Sequence, residues 1–358
     1  MIKNKKSIRT CLIEDLYKDI LYCNSKTKFS SQHYYCDEEN IVLTKIKEIN
    51  INNLSPELKI LLLPLMEQPM RNLSDTPYVW HLSYPSARSF YTIRGFAGLG
   101  NNQVISKMPG KSQFTIYNVN FEVKKNEIYI VRTKEVKEEI YVQIHNSLQA
   151  LEAGHIIGSY YMLAKLLDLK SDKVSFGRSI DVIKLGSFKA GDLNLFQLDQ
   201  LKKEYRYRSR GIYYGMLSNW IKIDKFKAFK KTELSQISKH FGIENKYCSY
   251  KTFENDGYCF WDKEKHKSLS YQNLQNKFSF WDPRYGSAIT IFGITKVDGN
   301  INKVVELIGA CAQVICLNNA KNNFINRPVK QIIPNKWEHI FIDSDIIPFY
   351  GVISTKID

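Results

Sequence analysis

Hydrophobic positions along the chain alternate between helical and strand spacing. The clearest helical stretch begins at Gln149. Ala150, Leu151, Ile156, Ile157, Tyr160, Leu163, Ala164 and Leu167 fall on one broad apolar face. Ala153, Gly154, Gly158 and Ser159 interrupt it with small residues. Glycine inside a helix costs about 1 kcal/mol against alanine. Two within five positions point to a close approach, either by another backbone or by a flat ligand. A polar turn at Lys170 to Lys173 follows, then a short apolar strand, and a second helix is expected near Ser179 to Leu185.

Upstream, residues 1 to about 70 read as mainly helical. Cys11 to Ile20 is apolar at helical spacing, residues 24–40 are polar and loop-like, and Thr44 to Ile49 suits a short strand or a helical turn. Ser55 is a candidate N-cap for Pro56-Glu57-Leu58, with proline at the first helical position and an acid in the first turn. Leu58, Ile60, Leu61 and Leu62 continue that helix until Pro64 limits it. Beyond residue 71, Ser89 to Phe96 has strand composition. Phe114 to Phe121 and Glu127 to Arg132 read as a strand pair joined by the polar Glu122 to Asn126.

The second half echoes this order. Arg208-Ser209-Arg210-Gly211-Ile212-Tyr213-Tyr214 is laid out like Ser86 to Tyr91, and Gly257 to Leu269 takes the place of Thr115 to Tyr129. Ala288 to Ile294 is a strand. Val304 to Val314 repeats Leu148 to Ser159 as an apolar helix with an acid shortly before a glycine. An internal repeat of roughly 140 to 150 residues follows, and a repeat sets architecture more strongly than any one element.

Composition narrows the class. With 44% hydrophobic and 24% charged residues over 358 positions, the chain is globular, with length for two domains. No apolar run reads as a membrane span, Ile60 to Met66 being short and broken by Pro64, and the basic N-terminus lacks a signal core. The seven cysteines are odd in number and contain no C-x-x-C pair, which argues against a disulfide framework or zinc ribbon and fits a cytoplasmic protein. Cys23, His33 and Cys36 lack an evident fourth metal ligand. The net charge is +15, and residues 202–231 alone hold ten Lys or Arg against two acids. Interleaved with Tyr205, Tyr207, Tyr213, Tyr214 and Trp220, that stretch suits an anionic ligand. No Walker loop, G-x-G-x-x-G, H-E-x-x-H or G-x-S-x-G occurs, which argues against the corresponding enzymes.

Tyr84-Pro85-Ser86-Ala87, the strand and Tyr-containing strand pair after it, and Leu151-Glu152-Ala153-Gly154-His155 with Leu163 to Leu169 behind it resemble the nitroreductase superfamily. Within it, the SagB and McbC type is the nearest in pattern: flavin-dependent azoline dehydrogenases that act on ribosomally made peptides. Gly257 to Leu269 resembles the family's middle hairpin. The resemblance implies an α+β, nitroreductase-like fold with FMN at a subunit interface. Two degenerate tandem copies would form that interface as an internal pseudo-dimer, the alternative being a homodimer. Residues 1–70 would form a helical N-terminal segment, 71–200 the first half and 201–358 the second.

The FMN phosphate needs Arg, Lys or backbone N–H donors. Candidates are Arg71, Arg88, Arg94 and Arg178 in the first half and Arg206, Arg208 and Arg210 in the second, with Ser83, Ser86 and Ser209 for the phosphate or the ring's polar edge. Gly154 and Gly158, or Gly309 and Ala310, would give the ring a flat slot, and Glu152 is the family's helix glutamate. The resemblance makes Tyr141 the catalytic residue. The family's Lys-Tyr pair is Ile140-Tyr141 here, Arg88 stands where glycine is usual, and Gly158-Ser159 replaces a Gln-Asn pair.

Three functions compete. The first is FMN-dependent dehydrogenation of azolines to azoles on a precursor peptide, with a cyclodehydratase as partner. The second is a scaffold of the same fold, without catalysis, that binds a peptide or a partner enzyme. The third, resting on charge and aromatics alone, is nucleic-acid binding.

Overall fold

The computed structural model describes residues 41–66, 82–86, 93–107, 111–132, 145–176, 180–189, 191, 229–243, 245–254, 258–261, 264–267, 288–295, 301–320, 322, 324–329 and 346–356. The helical expectation for Cys11 to Ile20, the loop at 24–40, the beginning of the strand expected from Ser89 and most of the basic stretch lie outside them.

Strand β1 (Leu43–Ile49) is followed by helix α1 (Pro56–Leu62). The Ser55 hydroxyl accepts from the Leu58 N–H, as the capping pattern requires, and Ile60, Leu61 and Leu62 are buried. Strands β2 (Ile93–Gly100), β3 (Gln103–Ser106), β4 (Phe114–Val119) and β5 (Glu127–Arg132) lead into helix α2 (His145–Leu166), and β6 (Ser171–Phe176) and β7 (Ile180–Leu185) complete the first half. Helix α3 (Lys231–Phe241) precedes β8 (Cys248–Glu254), β9 (Tyr258–Trp261), β10 (Glu264–Lys267) and β11 (Ala288–Ile294). Helix α4 (Ile301–Ala320) and strands β12 (Phe324–Val329) and β13 (Ile347–Lys356) follow.

The strands form two antiparallel sheets. The first has the order β1-β4-β3-β2-β5-β7-β6, the second β10-β9-β8-β11-β13-β12. Apart from β1, the order is the same element for element: β2 to β7 stand where β8 to β13 stand. In each half the long helix follows the fourth of these strands. The hairpin β9–β10 therefore stands where β3–β4 stands, rather than in the place of Thr115 to Tyr129.

Two further expectations are corrected. The strands β4 and β5 do not pair with each other. Gly100, Asn101 and Asn102 have positive φ values of 85°, 52° and 54°, and the tight turn they make folds β3 back on β2. That hairpin lies between β4 and β5, so β5 pairs with β2 and β7 instead. The stretch expected as a second helix near Ser179 is strand β7. Both its faces are covered, with Ile180 and Val182 in one core cluster and Ile183 and Leu185 in another, so no polar alternation marks it as a strand.

Helix α4 has the length and hydropathy of a membrane-span candidate. Its residues from Val304 to Ala320 are buried, and its packing partner is α2. The two helices meet main chain to main chain. A Cβ on Gly154 would overlap the Glu306 carbonyl oxygen, and one on Gly309 would overlap the Leu151 carbonyl oxygen. A Cβ on Gly158 would stand 2.6 Å from the Ala310 oxygen. Of the two approaches open to these glycines, the backbone of the facing helix is the one observed.

Gly154→Ala and Gly309→Ala should each lower stability by about 2–3 kcal/mol, since main chain cannot give way as a side-chain tip can. Gly191→Ala, with nothing within 4 Å of its added Cβ, should leave the urea midpoint near that of the unaltered chain. The buried thiols give a second expectation. Burial pushes the Cys248 thiol up from 9.0 to about 12 and also raises that of Cys311 well above its ordinary value. Both stay protonated in the fold while unfolded thiols ionise. Their contribution is thus complete below pH 9.0 and is lost as pH rises towards 12. Thermal unfolding followed through that window should show a shallower decline in Cys248→Ala than in the unaltered chain.

Candidate functional site

The site begins at the short segment before β2. Ser83 is buried, its hydroxyl donating to the Met66 carbonyl at 2.9 Å and lying 3.3 Å from that of Leu63. Its N–H also reaches the Met66 oxygen, at 2.9 Å. The Tyr84 hydroxyl donates to the Ile93 carbonyl at 3.1 Å, which ties the segment to the first residue of β2. Ser86 donates to Glu152 at 3.1 Å, and the Ile93 N–H lies 3.4 Å from the other oxygen of that carboxylate. Glu152 is buried on α2, so its charge is stabilised by hydrogen bonds to hydroxyl and main chain.

A second set of bonds crosses from α4. The Gln313 amide nitrogen donates to the Ser83 carbonyl at 3.1 Å and to the Ser159 hydroxyl at 2.8 Å. A carbonyl can only accept, so the amide oxygen is the atom that faces His155 Nδ1, at 2.9 Å. His155 Nδ1 therefore carries a proton. Nε2 lies 3.0 Å from the Tyr350 hydroxyl, which donates to it when the imidazole is neutral. Segment, α2, α4 and β13 are thus joined by one chain of buried polar groups.

A third cluster is ionic. Arg132, at the end of β5, reaches Asp181 on β7 at 2.8 Å and also bonds Glu306 on α4. Both carboxylates are buried, with side-chain exposures of 3% and 4%, while Arg132 keeps 18%. This triad joins the first sheet to the helix of the second half.

These contacts redistribute the residues singled out in the sequence. Ser86 and Glu152 come together. Ser83 is used in holding the segment, its hydroxyl directed at main chain. Gly154 and Gly158 face α4, so a flat ligand does not share that face. Arg94 alternates along β2 with Ile93, which packs towards the helices, and so lies on the other face of the sheet, with Phe96. Tyr141, Arg71, Arg88, Arg178, Arg206, Arg208, Ser209 and Arg210 lie outside the described residues. Sequence reading missed Arg132, Asp181, Gln313 and Tyr350. Gln313 and Tyr350 meet His155 from 158 and 195 positions away, which no local spacing signals. The one available cue was a lone amide inside the apolar run of α4. Among the described residues no group of three His, Cys, Asp or Glu is placed to hold a metal.

Arg132→Met would leave two buried carboxylates without their counter-charge. The expected loss is about 3 kcal/mol, the lower end for a broken buried pair because Arg132 is partly solvated. Denaturant unfolding measures it, and the double variant Arg132→Met with Glu306→Gln should recover part of the loss.

No family model and no curated protein matches the sequence. Among solved structures, a protein from Anabaena variabilis provisionally assigned as a nitroreductase is similar, at a TM-score of 0.65. The likeness covers 98% of this chain and 99% of the other, at 11% identity. The chain therefore has, over nearly its whole length, the α+β fold of that nitroreductase-assigned protein.

Proposed function

We propose that the chain is an FMN-dependent oxidoreductase whose two halves pair inside one chain as two subunits of such an enzyme would. The observation that carries this reading is the pinned segment Ser83 to Ser86. It is held at Ser83 by Met66 and Gln313, at Tyr84 by the start of β2, and at Ser86 by Glu152. A short surface segment needs no such set of buried bonds to close a loop. Binding sites do, because a preorganised donor set loses little entropy on meeting its ligand. In the sequence the segment leads directly to Arg88, one of the candidate arginines for the phosphate.

FMN asks for cations at its phosphate, a flat apolar surface and polar partners along the ring edge. The described residues fit the last demand. Glu152 and Ser86 form a positioned acceptor and hydroxyl beside the apolar face of α2. They do not offer a slot between the helices, where main chain already meets main chain. This supports a cofactor position beside the helix pair, next to Ser86 and Glu152.

FMN, when bound, supplies a hydride acceptor. The chain's share is to bind and orient. Gln313 and Glu152 fix the segment from both helices, and the apolar residues of α2 exclude water. The specific substrate we infer is an azoline in a precursor peptide, supplied by a cyclodehydrating partner, with Tyr141 near the departing proton. An overall charge of +15 favours an acidic peptide.

A second reading is a scaffold of the same fold that binds a peptide or partner enzyme. It draws on the closed network at the helix pair, where His155, Gln313, Ser159 and Tyr350 bond one another. The visible spectrum of the purified chain separates the two. A yellow protein that releases FMN on denaturation is expected. A colourless protein that stays flavin-free after incubation with FMN would leave the scaffold reading.

A further inference from the structure

The ionic triad and the pinned segment share one edge of the first sheet. Ile93 begins β2, Arg132 ends β5, and the two stand directly opposite each other in the ladder. Directly opposite residues carry their side chains on the same face, with Cβ atoms about 5 Å apart. Ile93 belongs to the core cluster that contains both long helices, so the Arg132 side chain is on the helix-facing side of the sheet. Its bond to Glu306 on α4 agrees with that direction. Asp181 stands opposite Ile130, which lies two positions before Arg132 and in the same cluster.

Ile93 is also where Glu152 meets the sheet. The Ile93 N–H lies 3.4 Å from one oxygen of that carboxylate, and the other oxygen accepts from Ser86 at 3.1 Å. Glu306 arrives at this edge from the second half. Its carbonyl meets Gly154, two positions after Glu152, and its carboxylate bonds Arg132. Glu152, Asp181 and Glu306 are all buried, and Arg132 keeps only part of its surface in water. Charges in such a setting act over a longer distance than surface charges, because little water lies between them. Removing the charge of Arg132 or that of Glu306 breaks the same contact. The two changes nevertheless move the local charge by one unit in opposite directions.

Resting on the flavin reading, we propose that Arg132 and Glu306 are positioning residues that set the reduction potential of the bound flavin, in opposite directions. Accepting a hydride adds two electrons and one proton to a neutral ring and leaves it with one negative charge. The reduced form therefore responds to a neighbouring charge more strongly than the oxidised form does. The guanidinium favours the reduced form, and the carboxylates of Glu306 and Asp181 oppose it. Glu306 belongs to the second half and the segment at Ser86 to the first. The potential thus depends on the pairing of the halves as well as on the residues that touch the cofactor.

The test measures the potential of FMN bound to the full-length chain, by equilibrium reduction against a reference dye in mildly alkaline buffer. Arg132→Met should weaken binding of the reduced form relative to the oxidised form about tenfold, which lowers the potential by about 30 mV for a two-electron couple. Glu306→Gln should raise it by a similar amount. Asp181→Asn should also raise it, and is the informative variant should Glu306→Gln fail to fold. Arg132→Lys, which keeps the charge, should stay near the unaltered chain. The double variant Arg132→Met with Glu306→Gln should return close to the unaltered potential although the tie between the halves is gone. A tie that served stability alone would shift both single variants the same way and the double variant at least as far. That result, or a potential unchanged in both single variants, would overturn the proposal and leave the flavin reading standing. No FMN bound by the unaltered chain would overturn the flavin reading, and this proposal with it.

Discussion

Everything polar at the centre of this molecule depends on how closely two helices approach. At Gly154, Gly158 and Gly309 the main chains of α2 and α4 touch without side chains between them. One methyl group would force the helix axes apart. The bonds that cross this contact, from Gln313 to Ser159 at 2.8 Å and from His155 to Gln313 at 2.9 Å, have little room to lengthen before they fail. The glycines thus lower the intrinsic stability of each helix and make the pairing possible. In return, two sheets that are far apart in sequence are held against one pair of helices, their inward-facing residues in one core cluster with both helices.

The buried polar groups between the halves are complementary across the contact and not within one half. His155 on α2 is bonded to Gln313 on α4 and Tyr350 on β13, and Arg132 on β5 is bonded to Glu306 on α4. A half that unfolded would strip these partners from the other. Buried polar atoms left in that position cost more than their bonds contribute when made. The halves are therefore energetically interdependent, although each has a sheet of its own. The neutral network and the ionic triad also specify register, since sliding one helix along the other by a turn would face carboxylate against apolar surface.

Much of this architecture was legible in the sequence, for identifiable reasons. The α2 pattern, the Ser55 cap before Pro56 and the twin helix at Ile301–Ala320 are local signals: spacing, a capping side chain, an apolar run with glycine. The two-sided burial of β7 erased the alternation that distinguishes strand from helix, so it read wrongly. The β2–β3 hairpin was hidden because its turn depends on asparagines with positive φ. Ser86 and Glu152, which bond each other, could be singled out because a recognisable segment and a helix motif carry them. Arg132, Asp181 and Tyr350 could not, because each acquires its role from a partner brought in by the sheet order. The repeat was legible as well, but its fine alignment was not. The acids looked equivalent until the helix contact set the offset.

The reciprocal contacts of Gly154 with Glu306 and of Gly309 with Leu151 set that offset at 155 positions, so Glu152 is matched by Leu307 and Glu306 by Leu151. A pair of identical subunits must place the same side chain at both ends of their contact. When the two halves share a chain, each position can change alone. A shift of one residue along α4 is enough, because it turns a carboxylate from its own sheet towards the opposite one. Glu152 and Gln313 spend their bonds on ordering four residues of main chain, so the conformational cost of holding that segment is met when the protein folds and not when a ligand arrives. Glu306 spends its charge on Arg132, which stands directly opposite Ile93 in the sheet, and so ties the halves together beside that segment. Both acids therefore act on one neighbouring pair of strands, Glu152 at the Ile93 N–H and Glu306 at Arg132, so the order of the segment and the tie between the halves rest on the same helix contact.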